Sequence, residues 1–249
     1  MIDLSNKVTI ITGGSRGIGE ACVKLFAKAN STVAFTYKSA GAHSENLEKE
    51  LGRKVKSYRV DMESEKEIIA MVDQVVKDFG KIDVLVHNAG IWNDGTLDKM
   101  SLDHWNELIR VNLTSTFIFA KAVTPHMKKN NFGRMILVTS TAGQRGEAFH
   151  SHYAASKGGM ISFTKSLAVE LAPFNITVNS VAPGWVDTEL NDGIFADKDY
   201  KESIRKTIPV GNIATAEEIA GPILFLASDL ARHINGEILN VNGGSVLCG

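Results

Sequence analysis

Short runs of β-branched and aliphatic residues alternate along this chain with stretches whose apolar positions recur every three or four residues. Val8 to Thr12 (VTIIT) reads as a strand. Glycines follow it, and then Ile18, Cys22, Leu25, Phe26 and Ala29 stand at helical spacing, which predicts a helix over Ile18 to Lys28. The same alternation predicts strands at 32–37, 55–60 and 84–87, with helices at 44–51 and 64–78 between them. Ser64 and Glu67 have capping-box spacing at the start of the third helix. Beyond them the pattern gives one long helix from Ser101 to about Lys129, a strand at 135–139, a helix from about Tyr153 to Leu171 and a strand at 177–182. Thr215 and Glu218 cap a last helix that runs to about Ala227, and a strand at 237–241 closes the series.

Seven strands alternating with helices, several of them nearly continuous apolar runs, predict an α/β fold in one doubly wound Rossmann domain over residues 1–249. Its sheet is expected to be seven-stranded and mostly parallel, with helices on both faces. One stretch breaks the rhythm. Gly184 to Asn212 follows the carboxyl end of the sixth strand, where ligands bind in such sheets, and reads as a substrate lid over 184–212. Leu190, Ile194 and Phe195 suit a short helix whose inner face covers an apolar ligand, while the many charged residues of the stretch stay in water. A surface excursion without function is the alternative.

Composition narrows the function. Lys and Arg total 27 against 28 Asp and Glu, a net charge of -1, so no bulk field holds the chain on nucleic acid or an anionic membrane. Cys22 and Cys248 are the only cysteines, and neither CxxC nor HExxH spacing occurs, which predicts no disulfide framework and no metal. Met1 to Lys7 has neither a basic start nor an apolar core, and no apolar run nears the roughly 18 residues of a membrane helix. A soluble, cytoplasmic chain is expected.

Thr12-Gly13-Gly14-Ser15-Arg16-Gly17-Ile18-Gly19 joins the first strand to the first helix. Glycines there let backbone N–H groups approach a pyrophosphate at a helix N-terminus, which points to dinucleotide binding. NAD sites carry an acid at the end of the second strand for the ribose 2′-hydroxyl, and this chain has Tyr37-Lys38-Ser39 there. Arg16 and Lys38 are two cations for a 2′-phosphate with no acid opposing them, so NADP(H) is the expected cofactor. Solvated surface charge is the bland alternative for both.

In Tyr153-Ala154-Ala155-Ser156-Lys157 the tyrosine and lysine stand one helical turn apart, a spacing that suits an acid/base pair in which an ammonium lowers the pKa of a phenol. Taken singly, Ser140 reads as a helix-start hydroxyl and Asn112 as a buried amide. His150 and His152 have no carboxylate or thiol at ligand spacing and are expected to line the cleft mouth.

Taken together, these pieces resemble the short-chain dehydrogenase/reductase family over nearly the whole chain. The matching residues are TGGSRGIG at 12–19, Asp61, NAG at Asn88-Ala89-Gly90, Asn112, Ser140, YAASK at 153–157, Pro183-Gly184 and Thr188. The resemblance implies a catalytic tetrad of Asn112, Ser140, Tyr153 and Lys157. It places Asp61 on the adenine, Asn88 to Gly90 along the cofactor and Thr188 near the carboxamide, and counts Pro183, Gly184 and Val186 among the cofactor-binding residues. It also implies that Lys157 binds the nicotinamide ribose and that Asn112 holds a water through which Lys157 is reprotonated. Where the family often has a second asparagine, this chain has His87. The pattern is most similar to the 3-oxoacyl-[acyl-carrier-protein] reductases, which implies reduction of a ketone, with a 3-oxoacyl thioester as the foremost candidate and a sugar, steroid or small ketone as alternatives. Arginines for an acyl carrier protein are expected beside the cleft, and those places hold Asn130, Asn131, Pro173 and Phe174, with Lys128 and Lys129 nearest. Carrier protein, coenzyme A and free ketone stay open. Surplus apolar residues at Phe117, Ile118, Phe119, Met160, Ile161, Phe163 and Leu167, together with family habit, imply a homotetramer. A non-enzymatic NADP-binding scaffold is the alternative of another class, and the intact tetrad argues against it.

Overall fold

A computed structural model describes residues 2–247, so Met1 and Cys248 lie outside the described residues. Strands β1 (Val8–Ile11), β2 (Thr32–Tyr37), β3 (Val55–Arg59), β4 (Val84–His87), β5 (Gly133–Val138), β6 (Ile176–Pro183) and β7 (Ile238–Val241) form one sheet. Their order is β3-β2-β1-β4-β5-β6-β7, and every neighbouring pair is parallel. The helices are α1 (Gly17–Lys28), α2 (Gly41–Leu51), α3 (Glu65–Phe79), α4 (Leu102–Leu108), α5 (Ser115–Asn130), α6 (Thr141–Arg145), α7 (Ser151–Leu171), α8 (Asp192–Phe195), α9 (Lys198–Thr207) and α10 (Ala216–Ala227). The strand order turns back between β1 and β4, which opens a crevice at the carboxyl ends of those strands.

Side chains leave a strand on alternate faces, so each strand feeds two cores. Ile11, Phe35 and Val86 pack with Phe26 of α1 and Ile223 of α10, whereas Ile10, Leu85 and Met135 pack with Val72 of α3, Phe119 of α5 and Leu171 of α7. Burying each of these large side chains contributes roughly 1.5–3 kcal/mol. Helix starts follow the expected chemistry with one change. Thr215 and Glu218 close a full capping box. Ser64 accepts the N–H of Glu67, but the Glu67 carboxylate reaches past it to the N–H of Asp61 at 2.9 Å, so only half of that box forms.

Three other expectations change. The long helix from Ser101 is interrupted by a π-helical turn over Ile109–Thr114, where the N–H of Ser115 reaches back five residues to Arg110. The hydroxyls of Ser115 and Thr116 donate at 2.6 Å to the carbonyls of Val111 and Asn112, satisfying groups that the wider turn would leave short of partners. After β5 comes α6, which the pattern does not signal because it is only five residues long. Within 184–212, the stretch expected to form a lid, α8 spans Asp192–Phe195 and excludes Leu190. Phe195 turns away from the cleft into a small separate core with Ile204 and Ile208, against Trp185.

Candidate active site

At the foot of the crevice, the glycine turn is stitched to the end of β4. Thr12 Oγ1 accepts the N–H groups of Asn88 (3.0 Å) and Ala89 (2.9 Å), and the Asn88 amide donates to the carbonyls of Thr12 (3.1 Å) and Gly13 (3.2 Å). Thr36 Oγ1 accepts the N–H of Gly13 at 3.0 Å. Gly13 has φ +65, and a Cβ on Gly19 would overlap the Gly13 carbonyl, so both positions exclude side chains. Helices α3, α6 and α10 are capped by side chains, but α1 has no side-chain cap and opens onto the groove. An uncapped helix N-terminus behind a glycine turn fits a pyrophosphate.

The groove is lined by Gly13, Ser15, Arg16, Gly17, Ile18, Tyr37, Lys38, Ser39, Asp61, Asn88, Ala89, Gly90 and Thr188, among others. Gly19 lies beneath it as packing. One expectation is corrected here: Lys38 does face an acid, since its Nζ lies 3.0 Å from the Asp61 carboxylate. Parallel pairing of β2 with β3 sets Tyr37 beside Arg59, so the residues just after the two strands meet. The N–H of Glu63 and then Lys38 hold the Asp61 carboxyl below its ordinary range. Arg16 is exposed and has no ion pair among the described residues.

A second cavity continues from the groove through shared walls at Ile18, Asn88, Gly90, Ile91, Thr188 and Leu190. Ser140, Tyr153, Lys157, Pro183, Gly184 and Val186 line it. Ser140 caps α6 through Oγ, which accepts the N–H of Ala142 at 3.1 Å, and also hydrogen-bonds the Tyr153 hydroxyl. Lys157 is buried, and its Nζ donates to the Val138 carbonyl at 2.8 Å and lies 5.7 Å from the centre of the Tyr153 ring. Burial pushes Lys157 down to about 8. Burial also pushes the Tyr153 hydroxyl up to about 12; the Ser140 hydrogen bond works against this, and the Glu147 charge adds to it. With its pKa raised, the phenol holds its proton.

Asn112 stands apart from both cavities. Its Oδ1 accepts the Ile91 N–H at 2.8 Å, and its Nδ2 donates to the Ile91 carbonyl at 3.0 Å and to Ser156 Oγ at 3.2 Å. These bonds tie the side chain to the Ile91 backbone at the cleft wall. His152 is corrected as well. It is fully buried, with Nε2 at 2.9 Å from Asn93 Oδ1, which His104 Nε2 approaches at 2.8 Å, so only His150 stays near the mouth, stacked on Trp92 at 4.3 Å. Among the described residues no cluster of His, Cys, Asp and Glu could hold a metal. The places expected to present cations to a carrier protein, Asn130 to Asn131 and Pro173 to Phe174, precede β5 and β6 and so lie at the opposite end of the sheet from this chain's cleft. Sequence reasoning missed Trp92, Arg145 and Glu147, which line the second cavity, and reached Trp185 and Asn191, which also line it, only as members of the 184–212 stretch. Only their position just beyond strand ends could have signalled them.

Comparison with known proteins agrees with this geometry. A protein-family profile described as Enoyl-(Acyl carrier protein) reductase matches residues 13–245. The chain is 39% identical over 246 residues to the 3-oxoacyl-[acyl-carrier-protein] reductase FabG of Aquifex aeolicus, covering 98% of each chain. It is 37% identical over 243 residues to the protein of that name from Escherichia coli, again covering 98% of each. A solved structure, the crystal structure of gox2181, superposes with a TM-score of 0.93 at 30% identity, covering 98% of this chain and 97% of that one.

Proposed function

The chain belongs to the short-chain dehydrogenase/reductase family and is an oxidoreductase acting on CH–OH/C=O, and on that premise we propose that it reduces a 3-oxoacyl thioester to the secondary alcohol with NADPH. The observation that carries this reading is the meeting of the Ser140 and Tyr153 hydroxyls in a cavity that continues the dinucleotide groove. When bound, the dinucleotide supplies hydride to the carbonyl carbon. Tyr153, neutral at physiological pH because burial holds its pKa up to about 12, keeps the proton that the developing alkoxide takes. Ser140 donates a hydrogen bond to the same oxygen, which favours the charge that appears only during reaction. Lys157, still largely cationic at pH 7 with its pKa pushed down to about 8, supplies positive charge beneath them. Asn112 holds the Ile91 backbone that forms the adjoining wall.

Arg16 supports NADPH directly. Lys38 supports it through an exposed pair with Asp61 whose worth is about 0–1 kcal/mol, small enough for a dianionic phosphate to compete for the lysine. A homotetramer is supported by Phe117 and Val169, exposed at 47% and 79%, with Phe117 edge-on to Phe163 at 6.5 Å across α5 and α7. The test is NADPH oxidation with 3-oxoacyl thioesters against a panel of free ketones, sugars and 2-enoyl thioesters. Tyr153→Phe should lower kcat by about 100- to 10,000-fold while leaving NADPH affinity near wild type. Retention of more than half the activity, or reduction of the enoyl and not the oxoacyl thioester, would overturn the assignment.

A further inference from the structure

Beyond the reacting hydroxyls, the second cavity carries two charged side chains, Arg145 and Glu147. Arg145 ends α6 and is exposed, so water and salt screen it. Glu147 lies in the turn between α6 and α7 and is half-buried. Its carboxylate makes no hydrogen bond or ion pair among the described residues, and only its backbone carbonyl is engaged, by the N–H of His150 at 3.2 Å. The two side chains also differ in burial, Glu147 being partly desolvated and Arg145 standing in water. Glu147 therefore sets an unpaired carboxylate on one wall of the cavity proposed to receive the ketone. An unpartnered, partly desolvated carboxylate acts on whatever charge or hydrogen-bond donor enters beside it.

We propose that Glu147 is the specificity-determining residue for substrate charge, admitting neutral 3-oxoacyl compounds that present a hydrogen-bond donor, such as thioesters of an amide-bearing thiol, and rejecting free 3-oxo acids. The inference rests on the proposed ketone reduction but concerns a separable property. A free 3-oxo acid carries its carboxylate two bonds from the reacting carbonyl, which sets it beside both Glu147 and the oxygen that becomes an alkoxide. Three negative centres would then share one small cavity. A thioester has no such charge, and an amide N–H beyond it finds an acceptor in Glu147. The indoles of Trp92 and Trp185, edge to face at 6.4 Å, form apolar walls that exclude the water an anion would need.

Binding can be read without turnover, because Trp92 and Trp185 line the cavity and give a fluorescence signal. The NADP-loaded protein is titrated with acetoacetate, an anion, and with acetoacetamide, its neutral N–H-bearing counterpart. Wild type should bind the amide at least roughly ten-fold more tightly, as expected for like charges a few ångströms apart at a partly buried site. Glu147→Gln should bring the two affinities within about three-fold, mainly by tightening acetoacetate, whereas Arg145→Gln should leave the wild-type ratio within about two-fold. An unchanged ratio in Glu147→Gln, tighter acetoacetate than acetoacetamide in wild type, or a collapse of the ratio in Arg145→Gln instead would each overturn the proposal. Glu147 makes no side-chain bond that folding depends on, so the variant is expected to fold. Failure of the enzyme to reduce any 3-oxoacyl thioester would count against the proposed function and leave this binding result to stand or fall alone.

Discussion

Replacing His87 by Asn tests how the end of β4 is buried. The ring is fully buried, with Nε2 and Nδ1 each 3.2 Å from the hydroxyls of Ser115 and Thr116, and edge-on to Phe119 at 5.6 Å. Burial first, and the nearby Lys157 charge second, push its pKa down to about 3 from 6.5. A group with a depressed native pKa contributes its full stability above the unfolded value and loses it as pH falls towards the native one. Between pH 6.5 and about 3 the unfolded chain therefore binds one more proton at this site than the native chain does, a slope of about 1.4 kcal/mol per pH unit. By pH 4 the loss is about 3 kcal/mol. Asparagine offers an amide N–H to the Thr116 hydroxyl and has no charge to acquire. His87→Asn should cost about 1 kcal/mol at pH 7 through the lost ring contact, and should be the more stable protein at pH 4, the two curves crossing near pH 6. Urea midpoints measured at half-unit steps from pH 8 to pH 4 give both curves. Parallel curves would refute the reasoning, because they would mean that His87 takes up its proton inside the folded protein at no cost.

Three further outcomes follow from the geometry. Lys38→Asp sets a second carboxylate beside Asp61, and should weaken NADPH and relatively favour NADH; a wild-type kcat/KM with NADH equal to or above that with NADPH would remove the basis for the cofactor assignment. Burial holds Lys157 at about 8, so the reductive kcat should fall as pH rises through that value and the ammonium loses its charge, and a profile flat from pH 7 to pH 9.5 would contradict it. Phe195→Ala should open the small core that holds Trp185 at 5.9 Å, raising KM more than it lowers kcat and speeding hydrogen exchange across 190–205, with a loss of about 3 kcal/mol confined to the lid; unchanged exchange there would show that the lid does not depend on this core.

Strands were legible because runs such as Val8 to Ile11 are apolar on both faces, and a sheet covered on both sides leaves no other use for them. The candidate site residues were legible for a related reason: Tyr153 and Lys157 stand one turn apart on a helix, and Ser140 lies just past β5, so spacing and topology together bring them into one cavity. Spacing does not report solvent. It therefore missed the burial that raises the Tyr153 pKa, and gave the wrong place for His152, which faces inward one residue from a cavity-lining tyrosine. Lys38 and Asp61 are separated by a helix in the chain and meet only because β2 and β3 are neighbours. Trp92, Glu147 and Trp185 carry no period at all, since loops after strand ends are shaped by what they pack against.

The two walls of the cavity are held in different ways, and this bears on where specificity can change. The wall after β4 is fixed by the rigid body of the fold: Asn112 grips Ile91 from the π turn, Asn93 is shared by His104 and His152, the N–H of Gly95 donates to the Phe149 carbonyl at 2.7 Å, and Trp92 lies flat on His150. His150 and His152 flank the start of the helix that carries Tyr153, so a change that shifts this wall also shifts the proton donor and should alter kcat and KM together. The opposite wall rests on segment 184–212, where Trp185 packs on a separate core and the parallel bridge between Val186 and Ala214 ties its base to the body. Substitutions there can reshape the cavity without moving Ser140, Tyr153 or Lys157. New ketone specificities should therefore arise through segment 184–212 and Glu147, which line the cavity without holding Ser140 or Tyr153 in place, and not through the loop after β4.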